Sequence, residues 1–190
     1  MSTYTRQWLC AAGALIVASA VPARAHAQAA LEPIRVTESR LRADQLDQQA
    51  EEIERTDWGE LKKAAGLREQ AAELRTLADP KAVASLYWAA RDRYYSDDRL
   101  AGRRLMEESA ERAISIGDVV GAATALTEAA YISAELKDVE RTRRFATRAR
   151  LLALSPMLTD DQRSQLRARL GSDSAFQTLL AFVEKPERRR

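Results

Sequence analysis

The sequence predicts an all-α protein built of antiparallel helical hairpins, and three observations carry that expectation. Alanine, leucine, arginine and glutamate dominate, while only 7 glycines and 5 prolines occur in 190 residues, a composition of strong helix formers. Apolar residues recur at helical spacing through most of the chain. Three aspartates, Asp98, Asp118 and Asp138, stand 20 residues apart, each in a short polar turn.

The N-terminus is read first. Arg6 precedes an apolar run from Trp8 to Val21, followed by Pro22 and by small residues at alternate positions, Ala23, Ala25, Ala27 and Ala29. This is the pattern of a secretory signal peptide over 1–27, with cleavage expected after Ala25 or Ala27. The run is shorter than the roughly 20 residues that span a bilayer, so no stable membrane insertion is expected after cleavage. Cys10 lies within the apolar run, where it cannot serve as a lipid-bearing residue after the cleavage site. Removal of 1–27 takes the single cysteine, Arg6 and Arg24, and, with the later cleavage, the single histidine, leaving 28 basic and 28 acidic residues. No global basic field then remains to attract nucleic acid. An exported chain without disulfides is held by packing alone, which fits a periplasm of the Gram-negative type.

Residues 28–38 show no helical period, and Pro33 disfavours helix at Glu32, so a flexible leader is expected there. Its string Leu31–Arg40 resembles a TonB box, the extended segment that pairs by strand addition. The barrel that follows such a box in that family has no room in this chain, so a flexible leader and a borrowed docking peptide stay as the two readings.

An all-helical domain is expected over 39–184. Leu41, Leu46, Ala50 and Ile53 open it weakly. Asp57 and Glu60 read as a capping box before a helix with the stripe Leu61, Ala64, Leu67, Ala71, Leu74 and Ala78. Asp79-Pro80 ends that helix and starts the next, since Asp caps and Pro suits the first helical position. Each of the three spaced aspartates then predicts an N-cap. Positions four, eight and eleven beyond it form one stripe: Gly102, Met106 and Ser109; Ala122, Leu126 and Ala129; Thr142, Ala146 and Ala149. Sixteen beyond come Ile114, Ala134 and Leu154. Helices joined by such short turns run antiparallel, and hairpins that cannot bury both faces stack on one another.

Over residues 83–154 this pattern resembles tetratricopeptide-like repeats, with small Ala129 and Ala130, the Lys137-Asp138 turn, and small Thr142, Ala146 and Ala149 in the second helix. The resemblance implies a right-handed solenoid, with a repeat core at about 80–155, that acts by binding other proteins. The unit here is longer than the family's 34 residues, and its proline is displaced to Pro156. Beyond Pro156, Leu158-Thr-Asp-Asp-Gln162 and the following Arg-Ser-Gln-Leu166 resemble the L-T-x-x-Q motif of the Spy/CpxP family of periplasmic chaperones and stress sensors. That family carries two copies and this chain one. In physical terms the string is a capping box, Thr159 with Gln162, opening a helix to Leu170 that Gly171 closes. A last helix with Phe176, Leu179, Leu180 and Val183 is expected next, then a disordered basic tail at 185–190.

Catalysis is not expected. The commonest nucleophiles and metal ligands leave with the signal segment, and no glycine-rich phosphate loop occurs. Nothing in the sequence marks the apolar pocket that paired-acid hydrolysis needs to raise one carboxyl. Catalytic, cofactor-binding and metal-binding residues are therefore expected to be none. Two groups could bind a partner. Tyr87, Trp88, Arg91, Tyr94 and Tyr95 form the densest aromatic group. Tyr87, Arg91 and Tyr94 share one helix face, and Trp88, Asp92 and Tyr95 another, which suits a helix packed on both sides or a concave binding surface. Arg141, Arg144 and Arg148 line one face of the helix after Asp138, as a solvated face or as a site for an acidic peptide or carboxylate. The expected function is a protein–protein interaction scaffold or adaptor for another envelope protein or peptide. The alternatives are a chaperone of the Spy/CpxP kind and an accessory subunit of an envelope enzyme or transport system.

Overall fold

The computed structural model describes residues 23–172, and the side chains of 35–166. The chain divides into two units, Met1–Val36 and Thr37–Arg190. The described residues form seven α-helices joined by short turns, with no strand: α1 (Ala23–Thr56), α2 (Leu61–Leu74), α3 (Pro80–Tyr95), α4 (Arg99–Ser115), α5 (Val119–Glu135), α6 (Val139–Ala153) and α7 (Asp160–Ser172). A single 3₁₀ turn, Trp58–Glu60, joins α1 to α2. None of these helices is long and apolar enough to cross a membrane.

The first unit departs from the expected leader. Residues 28–38 lie inside α1, whose helical backbone starts at Ala23 and passes through Glu32 and Pro33. An interior proline loses one backbone bond and crowds the preceding turn, but Ala29, Ala30 and Leu31 are strong helix formers. The expected last helix and the tail at 185–190 lie outside the described residues.

In the second unit the three spaced aspartates do what their positions predict. The carboxylates of Asp98, Asp118 and Asp138 accept from the backbone N–H three residues on, at Ala101, Gly121 and Arg141. Each turn is closed the same way. The aspartate's own N–H reaches back to the carbonyl five residues earlier, at Arg93, Ala113 and Ser133, over 2.8–2.9 Å. The residue just before it is left-handed: Asp97 (φ 66°), Gly117 (φ 78°) and Lys137 (φ 59°). That is the Schellman closure, which satisfies the last carbonyls of one helix directly before the next helix is capped. Three turns therefore share one geometry, although only one of them has the glycine that a left-handed residue favours.

The stripes pack as the spacing predicts at +4, +8 and +11, where all nine residues are buried. The +16 position does not follow: Ile114 and Leu154 are exposed. Burial shifts one residue back, to Ala113, Ser133 and Ala153, as a 3.6-residue period requires four residues beyond +11. Consecutive helices from α2 to α6 pack in pairs, and α3 also meets α5. The run is antiparallel between α3 and α4, since Gly102 lies against Ala90 and Tyr94 while Ser109 Oγ donates to the Val83 carbonyl. A Cβ on Gly102 would stand 2.9 Å from the Ala90 oxygen, so glycine here permits a close helix approach. The main core joins α2 to α6 through Leu86, Leu105, Met106, Leu126, Phe145 and many alanines.

Two local expectations are corrected. Asp57 caps the 3₁₀ turn by accepting from Gly59 N–H, but Glu60 pairs with Lys63 instead of returning to Asp57, so no reciprocal capping box forms. In α2 the buried stripe is Leu61, Ala64, Ala65, Arg68, Ala71 and Ala72. Leu74 is exposed and Ala78 lies beyond the helix, so the buried face includes an arginine. At α7 the reciprocal box does form: Gln162 N–H donates to Thr159 Oγ1 and Thr159 N–H to Gln162 Oε1.

Candidate binding groove

Helix α3 supplies the centre. Its aromatic residues divide by depth: Leu86, Ala89 and Ala90 face the core, Tyr87 and Tyr94 are half-buried, and Trp88 and Tyr95 are exposed. Arg91 stacks over Trp88 at 4.8 Å and over Tyr95 at 5.6 Å. Trp58, in the turn after α1, stands 5.9 Å from Tyr95 between ring centroids. The two-face division expected from sequence is thus revised. Arg91 joins the face of Trp88 and Tyr95, whereas Asp92 turns inward. Trp58, Trp88 and Tyr95 leave 68%, 42% and 52% of their surfaces open to solvent.

Four cavities border Trp88 or Arg91, and two of them border both. One lies between α3 and the start of α5, lined by Tyr87, Trp88, Arg91 and Thr124, and another further along α5 is lined by Arg91, Tyr94, Tyr95 and Tyr131. A third, of about 370 Å³, borders α1 at Asp44, Asp47 and Glu51, and the smallest, about 190 Å³, is walled by Trp58, Trp88 and Tyr95 with Glu54 and Asp92. Together they form a groove along α1, α3 and α5 that collects all five aromatic-group residues singled out in the sequence.

The groove's floor carries buried charge. Arg68, 3% exposed, stacks under Trp88 at 5.5 Å and pairs with Glu54 at 2.5 Å and with Asp92 at 3.8 Å. Neither carboxylate oxygen in these contacts meets hydrogen-bond geometry. Burial first, then Glu54, pushes the Asp92 carboxyl up to about 7 against the pull of Arg68. A raised carboxyl in an aromatic-lined cavity was not legible from residue spacing. The folded chain holds that proton more tightly than the unfolded chain, so its stabilising effect is complete below about pH 4 and lost as pH rises through about 7. Arg75, also buried, bonds Asp44, Asp47 and Ser85 at 2.6–2.7 Å. Tyr94 donates to Glu135 at 2.8 Å, and burial followed by that carboxylate raises its hydroxyl to about 12.

The structure sets the arginine group elsewhere. Arg144 and Arg148 reach from α6 to Glu107 and Glu111 on α4, both at 2.6 Å, and Arg141 turns to Asp138 of its own cap. Glu107 and Glu111 are four apart on α4, as Arg144 and Arg148 are on α6, so the two pairs interlock as one ladder. None of these arginines lines the four cavities. Among the described residues no cluster of histidine, cysteine or carboxylate side chains could hold a metal ion.

Sequence reasoning missed Trp58, Glu54 and Arg68. The signal was present for Arg68, which lies four residues beyond Ala64 on the α2 stripe, where an apolar residue is expected. No known protein family, curated protein or solved structure matches the chain.

Proposed function

We propose that this chain is a non-catalytic protein–protein interaction scaffold or adaptor of the bacterial periplasm, exported by its N-terminal signal and built on tetratricopeptide-like hairpins stacked as a right-handed solenoid. The observation that carries the reading is the groove centred on Trp88 and Arg91. Solvent-open Trp and Tyr rings, braced by a stacked guanidinium, are the side chains that anchor protein interfaces. The braced rings lose little conformational freedom on binding. The repeated turns support a stacked-hairpin frame, which presents a groove as one rigid surface.

A second reading, a chaperone of the Spy/CpxP kind, draws on the Thr159–Gln162 capping box. A third is an accessory subunit of an envelope enzyme or transport system. A photo-crosslinking residue at Trp88, expressed in cells and followed by mass spectrometry of the adducts, separates the first two. One or a few partners are expected. A diffuse set of unrelated clients would overturn the adaptor and favour the chaperone.

A further inference from the structure

Exposed apolar side chains scattered singly are ordinary in a folded chain, but three of them crowd one place beside α6. Leu151, Leu154 and Met157 are 63%, 64% and 79% exposed, and they occupy the last turn of α6, its C-cap and the turn that follows. They extend a row at four-residue steps along α6, Val139, Arg143, Thr147 and Leu151, every member of which is exposed. The other sides of this helix are accounted for. Phe145, Ala146 and Ala149 enter the main core, and Arg144 and Arg148 reach α4. Helix α7 meets the stack through Leu158 and Leu166, which pack with Ala123 and Ala153 beside Leu152. The exposed row is left open.

The chain carries a matching surface directly beyond α7. Residues 173–184 read Asp-Ser-Ala-Phe-Gln-Thr-Leu-Leu-Ala-Phe-Val-Glu. At about 100° per residue, Phe176, Leu179, Leu180 and Val183 fall on one side, and Ser174, Gln177, Thr178 and Glu184 on the other. Such a stripe needs an apolar surface to lie on, while the polar side suits the outer layer of a helical stack, where a terminal unit faces water. The tether is short, since Asp173 follows the last residue of α7. Twelve helical residues span about 18 Å and the 13 of α7 about 20 Å. A helix folded back along α7 therefore returns level with the turn that holds Leu154 and Met157.

We propose that residues 173–184 dock as an amphipathic helix on the open face of α6, with Leu179, Leu180 and Val183 against Leu151, Leu154 and Met157, and so close this end of the stack. Tethering decides the occupant. A segment joined directly to α7 meets the face at an effective concentration of the order of millimolar, which a second copy or a separate protein has to outcompete. An open apolar end also invites copies to join in a contact that does not close on itself. Docking of the chain's own segment removes that hazard.

The test uses the full chain. A photo-crosslinking residue replaces Met157, and equal amounts of isotope-labelled and unlabelled protein are mixed before irradiation and mass spectrometry. Adducts from position 157 to peptides within 173–184 are expected, both halves carrying the same label. Mixed-label adducts put a second copy on the face and overturn the proposal, as does the absence of adducts to 173–184. Thermal melting gives an independent reading. Leu154→Asp and Leu180→Asp are each expected to lower the midpoint by at least about 5 °C, and together by less than the sum, because both break one contact. Leu100→Asp is the control. That leucine is 61% exposed, almost as open as Leu154, but it begins α4 at the end of the hairpins where Arg103 meets Asp138. A shift within about 2 °C is expected there. A Leu154→Asp midpoint within about 2 °C of the parent, or equal drops for Leu154→Asp and Leu100→Asp, overturns the proposal.

Discussion

Helix α5 buries nine side chains, none of them charged, whereas α2 buries six and one is Arg68, with a second buried arginine, Arg75, at its C-cap. Both helices lie between neighbours, but they are held by different physics. Around α5, alanines let backbones approach and Leu126, Leu105 and Phe145 fill the space. The attraction is hydrophobic and non-directional, so a 20-residue unit can be repeated with different residues at each place. Around α2, guanidiniums are tied to carboxylates of α1 and α3. Such pairs lose much of their attraction to desolvation, but they tolerate only one geometry. The repeated part therefore supplies stability, and the ion-tied part fixes how the Thr37–Thr56 stretch of α1 borders the groove.

Four substitutions would break or sharpen that contrast. The largest effect is expected from Phe145→Ala. The ring is fully buried, and its loss costs about 3–5 kcal/mol through transfer and cavity terms, read as a lowered midpoint in urea. Arg75→Met comes next. It leaves Asp44 and Asp47 without their shared partner, but those carboxylates keep 37% and 23% of their surface in water. The expected cost is about 1–3 kcal/mol, below that of breaking a wholly buried pair. Hydrogen exchange should quicken in residues 37–56 more than in α5; uniform quickening would count against a separate role for the ion pairs. The smallest effect tests the repeated turns. Lys137 has φ 59° and Gly117 φ 78°, so Lys137→Gly should gain about 0.5–1 kcal/mol and Gly117→Ala lose about 1 kcal/mol. Equal melting temperatures for both variants would mean that the turns are not equivalent.

How much of this was legible in the sequence differs between the two regions for the same reason. Asp98, Asp118 and Asp138 are capping residues with a local job, and a local job is written in local spacing. So are Asp79-Pro80 and the Thr159–Gln162 box. The +16 stripe failed because a 20-residue period was extended past the point where helical geometry keeps a residue on the same face. Arg141, Arg144 and Arg148 looked like a free basic face because their partners, Glu107 and Glu111, lie more than thirty residues away on another helix. The five aromatic-group residues could be singled out because Trp and Tyr are conspicuous in any helix. Trp58 was not, since only the packing of the Trp58–Glu60 turn carries it to Tyr95.

The sequence by itself determined the helical class, the places where helices begin and end between Asp79 and Asp138, and the small residues that let neighbours approach. Those features depend on contacts within one or two turns of chain, where residue type and spacing carry the physics. Only the tertiary structure decided that Arg68 lies under Trp88, that Asp92 keeps its proton to about 7, and that four cavities border Trp88 or Arg91. These depend on burial and on charges brought together from distant helices. Electrostatic energy is set by distance and dielectric, and neither exists for a pair of residues until the chain has folded.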